Sequence, residues 1–181
     1  PIYFITMDMA EDGSLWAVGD HSVNEDEWNP QLMHFPKEGS AQIFDKLSLE
    51  SGEQPCQVRV SDNGKVFLAD YGANIYEVKE DQTVTKVLTA DGSFSNFQIH
   101  NNLLAFYPDD GTGVKIYDLD QKEYVEDAVL DQFMQENYPG ASRNGYSSFQ
   151  VFYFWGNDDA FYVAGKSGLH RHVIGGSTME E

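Results

Sequence analysis

Aromatic and charged side chains that could bind a ligand recur in the polar segments of this sequence. Flat aromatic rings stack on sugars or peptides, while a few directional polar groups fix the orientation of what is bound. The set comprises Asp20, Trp28, Asp70, Tyr71, Asp109, Tyr138, Arg143, Tyr146 and Lys166. We therefore expect a ligand-binding surface, provided that the fold brings these segments to one side.

Two histidines have the spacing of a metal-binding pair. His170 and His172 alternate along one predicted strand, so their side chains share a face. The spacing supplies no third ligand, and a partly exposed sheet face explains the pair without a metal. The sequence also lacks a Gly-x-Ser-x-Gly elbow, a phosphate-binding Gly-rich loop and a His-Glu-x-x-His motif. We predict no metal, no cofactor and no catalytic residue.

The charge of the chain limits its partners. Eleven Lys and Arg against 30 Asp and Glu give a formal net charge of −19. So acidic a chain repels nucleic acids and anionic membrane surfaces. The longest apolar runs, such as residues 151–155, are too short to cross a bilayer. Because Cys56 is the only cysteine, no intrachain disulfide can form. We predict neither nucleic-acid binding nor membrane insertion.

The elements that must position these residues form a repeat. Four times an apolar extended run meets a short polar turn: Asp12-Gly13, Asn63-Gly64, Asn101-Asn102 and residues 157–159. Asp-Gly and Asn-Gly tolerate the positive φ of tight hairpin turns. The strands that follow, at 15–18, 66–69, 103–107 and 160–164, are apolar on both faces, which is typical of strands covered on both sides.

Further strands complete each copy. A third strand is predicted at 31–35, 74–78, 114–119 and 169–174, and a more polar fourth strand at 41–47, 83–88 and 124–129. Repeated units of four antiparallel strands are typical of propeller blades. We predict an all-β propeller with blades at about 1–50, 51–92, 93–140 and 141–181. One short helix at 127–137 is predicted from the helical spacing of Val129 with Phe133 and of Leu130 with Met134.

The last blade is expected to be incomplete. Residues 177–181 are too few for an outer strand, which leaves three complete blades and most of a fourth. Because each blade buries its faces against neighbours, we expect a segment of a larger propeller; the alternative is a closed ring of four blades. Uncovered faces at 5–18 and 160–174 would then expose Trp16, Phe161 and Tyr162 and favour self-association.

The long loops are predicted to lie on one side of the blades. Second-to-third-strand loops and connections between blades share one end, here residues 19–30, 50–55, 108–113 and 135–148. Binding residues commonly lie on loops that a rigid scaffold positions. Most of the aromatic and charged set falls in or beside these loops, which makes this end the predicted binding face.

Three stretches carry a resemblance to known propellers. Residues 11–19 (EDGSLWAVG) and 61–70 (SDNGKVFLAD) resemble the DG-x-LW repeat of bacterial sensor propellers, which are periplasmic or extracellular and related to lactonase and NHL propellers. Residues 164–180 (AGKSGLHRHVIGGSTME) are similar to blades that precede the solute-binding domain of some exported bacterial transport proteins. The resemblance implies an extracellular or cell-surface location, with a signal upstream of Pro1.

The function predicted on this basis is recognition without chemistry. The chain would be an accessory or sensing part of an exported solute-binding or signalling protein. Its partner would be a small molecule, a sugar, a peptide or another protein domain, together with the remaining blades of a longer chain. One alternative is a metal-dependent lactonase or lyase, in which Asp8, Asp62 and Asp70 could contribute carboxylates in a central channel. Another is a structural interaction scaffold with a flat loop face.

Overall fold

A computed structural model describes residues 3–20, 29–45, 47–109, 113–138 and 151–181. These residues form sixteen β-strands, one α-helix and one 3-10 turn, so the predicted all-β class is confirmed. The chain divides into two compact units, Pro1–Asp91 and Gly92–Glu181, each with two four-stranded sheets. Within every sheet the strands follow one another in chain order, and each pairs with the next in antiparallel fashion.

The first unit holds two blades. The first blade consists of β1 (Tyr3–Met9), β2 (Leu15–Asp20), β3 (Pro30–Phe35) and β4 (Gln42–Phe44). A 3-10 turn at Glu50–Gly52 leads into the second blade. That blade consists of β5 (Pro55–Val60), β6 (Val66–Asp70), β7 (Asn74–Val78) and β8 (Val84–Thr89). Every strand predicted for this unit is present, with its ends shifted by up to a few residues.

The second unit also holds two blades, with a helix between them. The third blade consists of β9 (Phe94–His100), β10 (Leu103–Pro108), β11 (Lys115–Asp118) and β12 (Glu123–Val125). The helix α1 spans Ala128–Asn137, where it was predicted. The fourth blade consists of β13 (Tyr153–Trp155), β14 (Phe161–Ala164), β15 (Leu169–His172) and β16 (Met179–Glu180).

The last residues of the chain form a short outer strand. Met179 pairs with His172 and Glu180 with Arg171. The expectation that residues 177–181 were too few for such a strand was therefore wrong. The bend at 173–178, where the Gly176 amide donates to the Val173 carbonyl, returns the chain alongside β15 and leaves room for two residues to pair.

The hairpin turns have the backbone conformation that the sequence predicted. Gly13 has φ of 84° and Gly64 has φ of 79°, in the left-handed region that glycine occupies without strain. Asn101 and Asp159 occupy the same region with φ of 51° and 58°. Asn and Asp tolerate this conformation better than other side chains, so all four turns connect tight hairpins.

The two blades of the first unit pack around one apolar core. Val18 and Leu32 from the first blade meet Val58 and Leu68 from the second, all fully buried. Side chains of β1 also complete the open edge of β5. The Thr6 hydroxyl accepts from the Val58 amide at 3.1 Å, and an Asp8 carboxylate oxygen accepts from the Val60 amide at 2.8 Å. Backbone N–H groups that would otherwise lack a partner are thereby satisfied.

The core of the second unit combines both of its blades with the helix. Leu130, Phe133 and Met134 of α1 are buried in one cluster with Ile116 of the third blade and Val163 of the fourth. Their i, i+3 and i+4 spacing places them on one helix face, as predicted. The helix was predicted from this spacing because an apolar stripe of that period can be buried only in a helical conformation.

Exposure on the outer faces differs from what was expected. Phe161 is fully buried, because the rings of Tyr153 and Trp155 pack against it, so its predicted exposure was wrong. Trp16 is half-buried and stacks on the His34 ring at 4.1 Å. Tyr162 is also half-buried and stacks on Phe154. The large apolar side chains most exposed on β1 are instead Met9, Tyr3 and Met7.

No helix among the described residues has the length and apolar character needed to cross a bilayer.

Candidate functional site

A cleft of about 460 Å³ opens at the loop end of the first unit, between its two blades. It lies where β3 begins, where β4 ends and where the connection to β5 turns, which is the end predicted to carry the binding face. Its lining residues are Asn29, Pro30, Gln31, Phe44, Asp45, Leu47, Ser48, Leu49, Gly52, Glu53, Gln54 and Pro55.

The apolar wall of the cleft is continuous with the core. Phe44 is the last residue of β4, pairs with Leu32 and belongs to the core cluster of the first unit. Beyond it the chain leaves the sheet, and Leu47 and Leu49 pack against that cluster. Because these side chains are anchored from behind, the wall has a fixed shape before any ligand arrives.

The polar lining offers both donors and acceptors of hydrogen bonds, because amide and hydroxyl side chains stand beside two carboxylates. Gln31 lies in β3 opposite Gly19, and its side-chain Oε1 is buried without a hydrogen-bond partner among the described residues. Asp45 is exposed and Glu53 half-buried, and within the described lining they are the charged side chains. A buried acceptor without a partner costs folding free energy, and such groups are rare in native proteins. Gln31 therefore carries an unsatisfied buried group next to the cleft.

The predicted binding residue Asp70 is buried in the second blade and does not line the cleft. Its carboxylate is buried and accepts hydrogen bonds from the Asn74 amide at 2.9 Å and from the Tyr76 hydroxyl at 2.8 Å. The same hydroxyl accepts from the Glu50 amide at 3.1 Å. Burial, together with the neighbouring Asp70 and Glu50 carboxylates, raises the pKa of Tyr76 to about 12. These hydrogen bonds fix the 3-10 turn Glu50–Gly52, whose last residue lines the cleft.

Two other predicted residues of the first unit border the cleft without lining it. Asp20 is buried at the end of β2 and pairs with Pro30, a lining residue. Tyr71 is 56% exposed, and its amide donates to the carbonyl of Gln54 at 3.2 Å. The ring of Tyr71 therefore stands on a loop joined to the cleft rim. Trp28, also predicted, lies outside the described residues.

Among the described residues predicted in the second unit, Asp109 and Lys166 lie on two separate loops, while Tyr138 ends α1 and donates its hydroxyl to the Ala164 carbonyl. Asp109 is exposed at the end of β10, where its amide donates to the Ser93 carbonyl. The Lys166 ammonium donates to the Glu136 carbonyl at 2.6 Å, in the last turn of α1. A cation bonded to these carbonyls stabilises a helix end. Lys166 thus caps α1. Arg143 and Tyr146 lie outside the described residues.

Contacts within the protein fix the side chains of the two histidines of β15. The Nε2 of His172 contacts an Asp127 carboxylate oxygen at 2.8 Å, and its Nδ1 lies 2.8 Å from the Thr178 carbonyl oxygen. His170 contacts the Ser167 hydroxyl at 2.9 Å and packs against the Phe133 ring. Both ring nitrogens of His172 thus lie within hydrogen-bonding distance of protein oxygens.

Asp127 joins the helix to the fourth blade. It caps α1 by accepting from the Leu130 amide at 2.9 Å, and its other oxygen accepts from the Gly175 amide at 2.8 Å as well as from His172. Burial on its own raises the pKa of this carboxyl. The hydrogen bonds from Gly175, Leu130 and His172 outweigh that effect and hold the pKa below its ordinary value.

The carboxylates considered for an enzyme lie in different parts of the blades. Asp8 accepts a hydrogen bond from the Val60 amide, and Asp70 accepts one from the Asn74 amide of the same blade. Asp62 is exposed in the turn between β5 and β6. Across the described ranges, no group of three or more His, Cys, Asp or Glu side chains is arranged to hold a metal ion.

The lining residues Gln31, Phe44 and Gln54 were not predicted from the sequence. A glutamine or a phenylalanine in a strand carries no local signal of a cleft, because the cleft arises from the path of the chain after β4. A weak signal was present in Pro30 and Pro55. Each begins a strand at the same end of neighbouring blades, a position at which proline is tolerated.

Comparisons with known proteins show the fold. No protein-family model and no curated sequence matches the chain. A chain of the mitotic checkpoint complex superposes with a TM-score of 0.61 at 12% identity, over 99% of this chain and 49% of that one. YCF48 bound to D1 peptide gives 0.61 at 11% identity, over 94% and 50%. The extracellular domain of BT4673 from B. thetaiotaomicron gives 0.57 at 13% identity, over 98% and 21%.

These similarities extend over nearly all of the chain. The chain spans about half the length of the first two structures and about a fifth of the third. Identity at this level supports a common fold and nothing finer. Together with the four antiparallel sheets, the comparisons show that the chain is built of β-propeller blades.

Proposed function

We propose that the chain is a non-catalytic recognition module whose cleft between the first and second blades binds a peptide segment of a partner protein. One observation carries the proposal: a single cleft combines an anchored apolar wall with polar side chains that both donate and accept hydrogen bonds, among them Ser48 and Gln54. Ligand sites commonly combine a preformed apolar surface with a few polar groups that fix orientation.

The dimensions of the cleft suit a short peptide. Its volume of about 460 Å³ lies within the range typical of ligand pockets. An extended peptide also presents backbone N–H and C=O groups, which polar side chains of both kinds in the cleft can pair with. A wall already fixed by the core and by the network of Asp70 and Tyr76 spares much of the ordering cost of binding.

The structural neighbours support recognition as the function. YCF48 was solved bound to a D1 peptide, and another neighbour is part of the multi-protein mitotic checkpoint complex. Non-catalytic action is supported by the commitment of Asp8, Asp70 and His172 to hydrogen bonds within the fold.

We place the module outside the cell, as a sensing or accessory part of an exported bacterial solute-binding or signalling protein. The extracellular domain of BT4673 among the neighbours supports this location. The net charge of −19 is compatible with it, since a strongly charged surface favours solubility.

A selection from random heptapeptides displayed on phage tests the proposal. We expect enriched peptides that bind the wild-type chain and lose binding to Ser48→Trp, because Ser48 is an exposed lining residue and an indole there occupies the cleft. The matched control is Ser40→Trp, an exposed serine in the β3–β4 turn at the other end of the same blade. It should bind the same peptides as the wild type.

Two outcomes contradict the proposal. The first is that no peptide is enriched, which would favour a structural scaffold. The second is that the enriched peptides bind Ser48→Trp as well as Ser40→Trp, which would place recognition away from the cleft. Thermal unfolding of both variants, compared with the wild type, shows whether each is folded.

A further inference from the structure

We infer that the buried pair of His172 and Asp127 is a pH-sensitive latch, which holds residues 176–181 on the fourth blade while the pair carries a proton and releases them as the pH rises. The latch comprises these two side chains, the Gly175 amide and the Thr178 carbonyl. It lies within the second unit and does not depend on the cleft of the first. Two features carry the inference: the hydrogen-bonding geometry of the His172 ring and the shortness of β16.

Both ring nitrogens of His172 face oxygens that accept hydrogen bonds. Nε2 lies 2.8 Å from an Asp127 carboxylate oxygen, and Nδ1 lies 2.8 Å from the Thr178 carbonyl oxygen. A neutral imidazole has one N–H donor, whereas the protonated ring has two, and neither a carbonyl nor an ionised carboxylate can donate. Both hydrogen bonds therefore form only while the pair holds one proton more than a neutral ring and a carboxylate together.

The surroundings of Asp127 keep this proton on the ring. Burial by itself raises the pKa of the Asp127 carboxyl, but hydrogen bonds from Gly175, Leu130 and His172 hold it below its ordinary value. The carboxyl group is therefore ionised in mildly acid and neutral solution. The latch is then an ion pair in which both side chains are buried.

Loss of the proton leaves the ring with one donor for two acceptors. Because a hydrogen bond to a charged acceptor is the stronger one, the remaining N–H stays with Asp127. Nδ1 then presents a lone pair to the Thr178 carbonyl oxygen, and the attraction at this contact becomes a repulsion. The Gly175 amide stays bonded to Asp127 in either state, so release is confined to residues 176–181. The protonated form is the docked form, and its contribution to stability is lost as the pH rises.

The segment after Thr178 is held by weak contacts, so the loss of one hydrogen bond is enough to shift its position. β16 consists of Met179 and Glu180 and pairs with two residues of β15. Glu180 also forms a solvent-accessible ion pair with Arg171, and such pairs contribute little. Met179 is only partly buried against the core of the second unit. Release of β16 opens the outer edge of β15 to solvent.

Among the described residues, several charged or titratable side chains lie on the elements packed around His172: Asp127 and Asp131 at the start of α1, His170 and Arg171 on β15, and Glu180 on β16. Arg171 and Glu180 lie on the opposite face of the sheet, where they are bonded to each other. His170 shares the face of His172 and contacts the Ser167 hydroxyl at 2.9 Å. His170 is therefore the group whose titration must be separated from that of the latch.

An NMR titration of the wild-type protein follows the ring and β16 together. Long-range nitrogen–proton spectra show which ring nitrogens of His172 carry a hydrogen, and labelled methionine methyl groups report the surroundings of Met179. From about pH 6 to about pH 9, His172 should lose one of two ring hydrogens, and the docking equilibrium constant of β16 should fall about tenfold with the same midpoint. The methyl group of Met134, which is buried in α1, is the internal control and should keep its signal.

The variant Asp127→Asn removes the charge and keeps a donor for the ring. Its side-chain nitrogen can donate to Nε2 of a neutral His172, while its oxygen still accepts from the Leu130 amide. The Met179 signal of this variant should therefore be the same at both ends of the titration. The matched control, His170→Gln, removes the other imidazole on the same face of β15 and should titrate as the wild type does.

Three results would overturn the inference. The first is a His172 ring whose number of hydrogens stays constant over the whole range. The second is a change of ring protonation without a change at Met179. Both concern the wild-type protein and do not depend on the folding of a variant. The third is a Met179 transition that persists in Asp127→Asn or disappears in His170→Gln, which would assign the pH dependence to other groups.

Discussion

Replacing Gln31 by methionine should stabilise the protein. Methionine keeps the length of the side chain but removes Oε1, the buried acceptor that has no partner among the described residues. An unsatisfied buried polar group costs about 1–3 kcal/mol, and volume-conserving replacements lose little packing. Part of the glutamine remains accessible to water, so we take the lower end and expect a gain of about 1 kcal/mol.

A gain of this size is measurable. For a chain of this length it raises the midpoint of thermal unfolding by about 2–4 °C. Because the chain has two compact units, a local readout is needed besides the global one. Amide exchange at Leu32 and Met33, the neighbours of Gln31 in β3, should slow about fivefold. Gln42→Met, at an exposed position of β4, is the control and should leave both quantities unchanged.

The reasoning is refuted if Gln31→Met destabilises the protein, because the side chain would then be making a structural bond.

Three further predictions concern Asp127, Tyr76 and Cys56. Asp127→Ala should cost about 3 kcal/mol of stability at neutral pH, because it removes a helix cap and leaves His172 without its acid partner. The folded-state pKa of Asp127 lies below 3.8, so its contribution is present above that value and is lost as pH falls through the folded pKa. The gap in urea midpoint between wild type and variant should therefore narrow below about pH 4; a constant gap would contradict this assignment. Tyr76→Phe should cost about 1–2 kcal/mol and speed amide exchange at Glu50, and unchanged exchange there would show that the hydroxyl does not hold the turn. Burial, with a smaller effect of the Asp70 charge, raises the pKa of Cys56 to about 12. Iodoacetamide at mildly alkaline pH should therefore modify the folded protein roughly a thousandfold more slowly than the urea-unfolded chain. Comparable rates would show that the thiol is accessible.

The fold could be predicted from the sequence because its signals are local. A turn such as Asn63-Gly64 and the apolar strand that follows it depend on residues a few positions apart. The helix at Ala128–Asn137 was predicted on the same basis, from i, i+4 spacing. The strand at Met179–Glu180 was missed because two residues carry no periodicity; its pairing depends on a bend that only the packed fourth blade defines.

The candidate site was predicted only in its location. Loop lengths indicated the end of the first unit at which the cleft opens, but the side chains chosen there were those with obvious chemistry. Asp70 is an example: its carboxylate is used by Asn74 and Tyr76 of the same hairpin. Gln31 has no local signal, because its burial depends on the connection after β4, more than ten residues away in sequence.

The most direct test of the central claim is a map of amide chemical-shift changes in the isotopically labelled protein on addition of a phage-selected heptapeptide. The account predicts that the largest changes fall on Gln31, Phe44, Asp45, Leu49 and Gln54, and that Ser48→Trp abolishes them. Changes concentrated in the second unit, or an even scatter over both units, would contradict a recognition cleft between the first two blades.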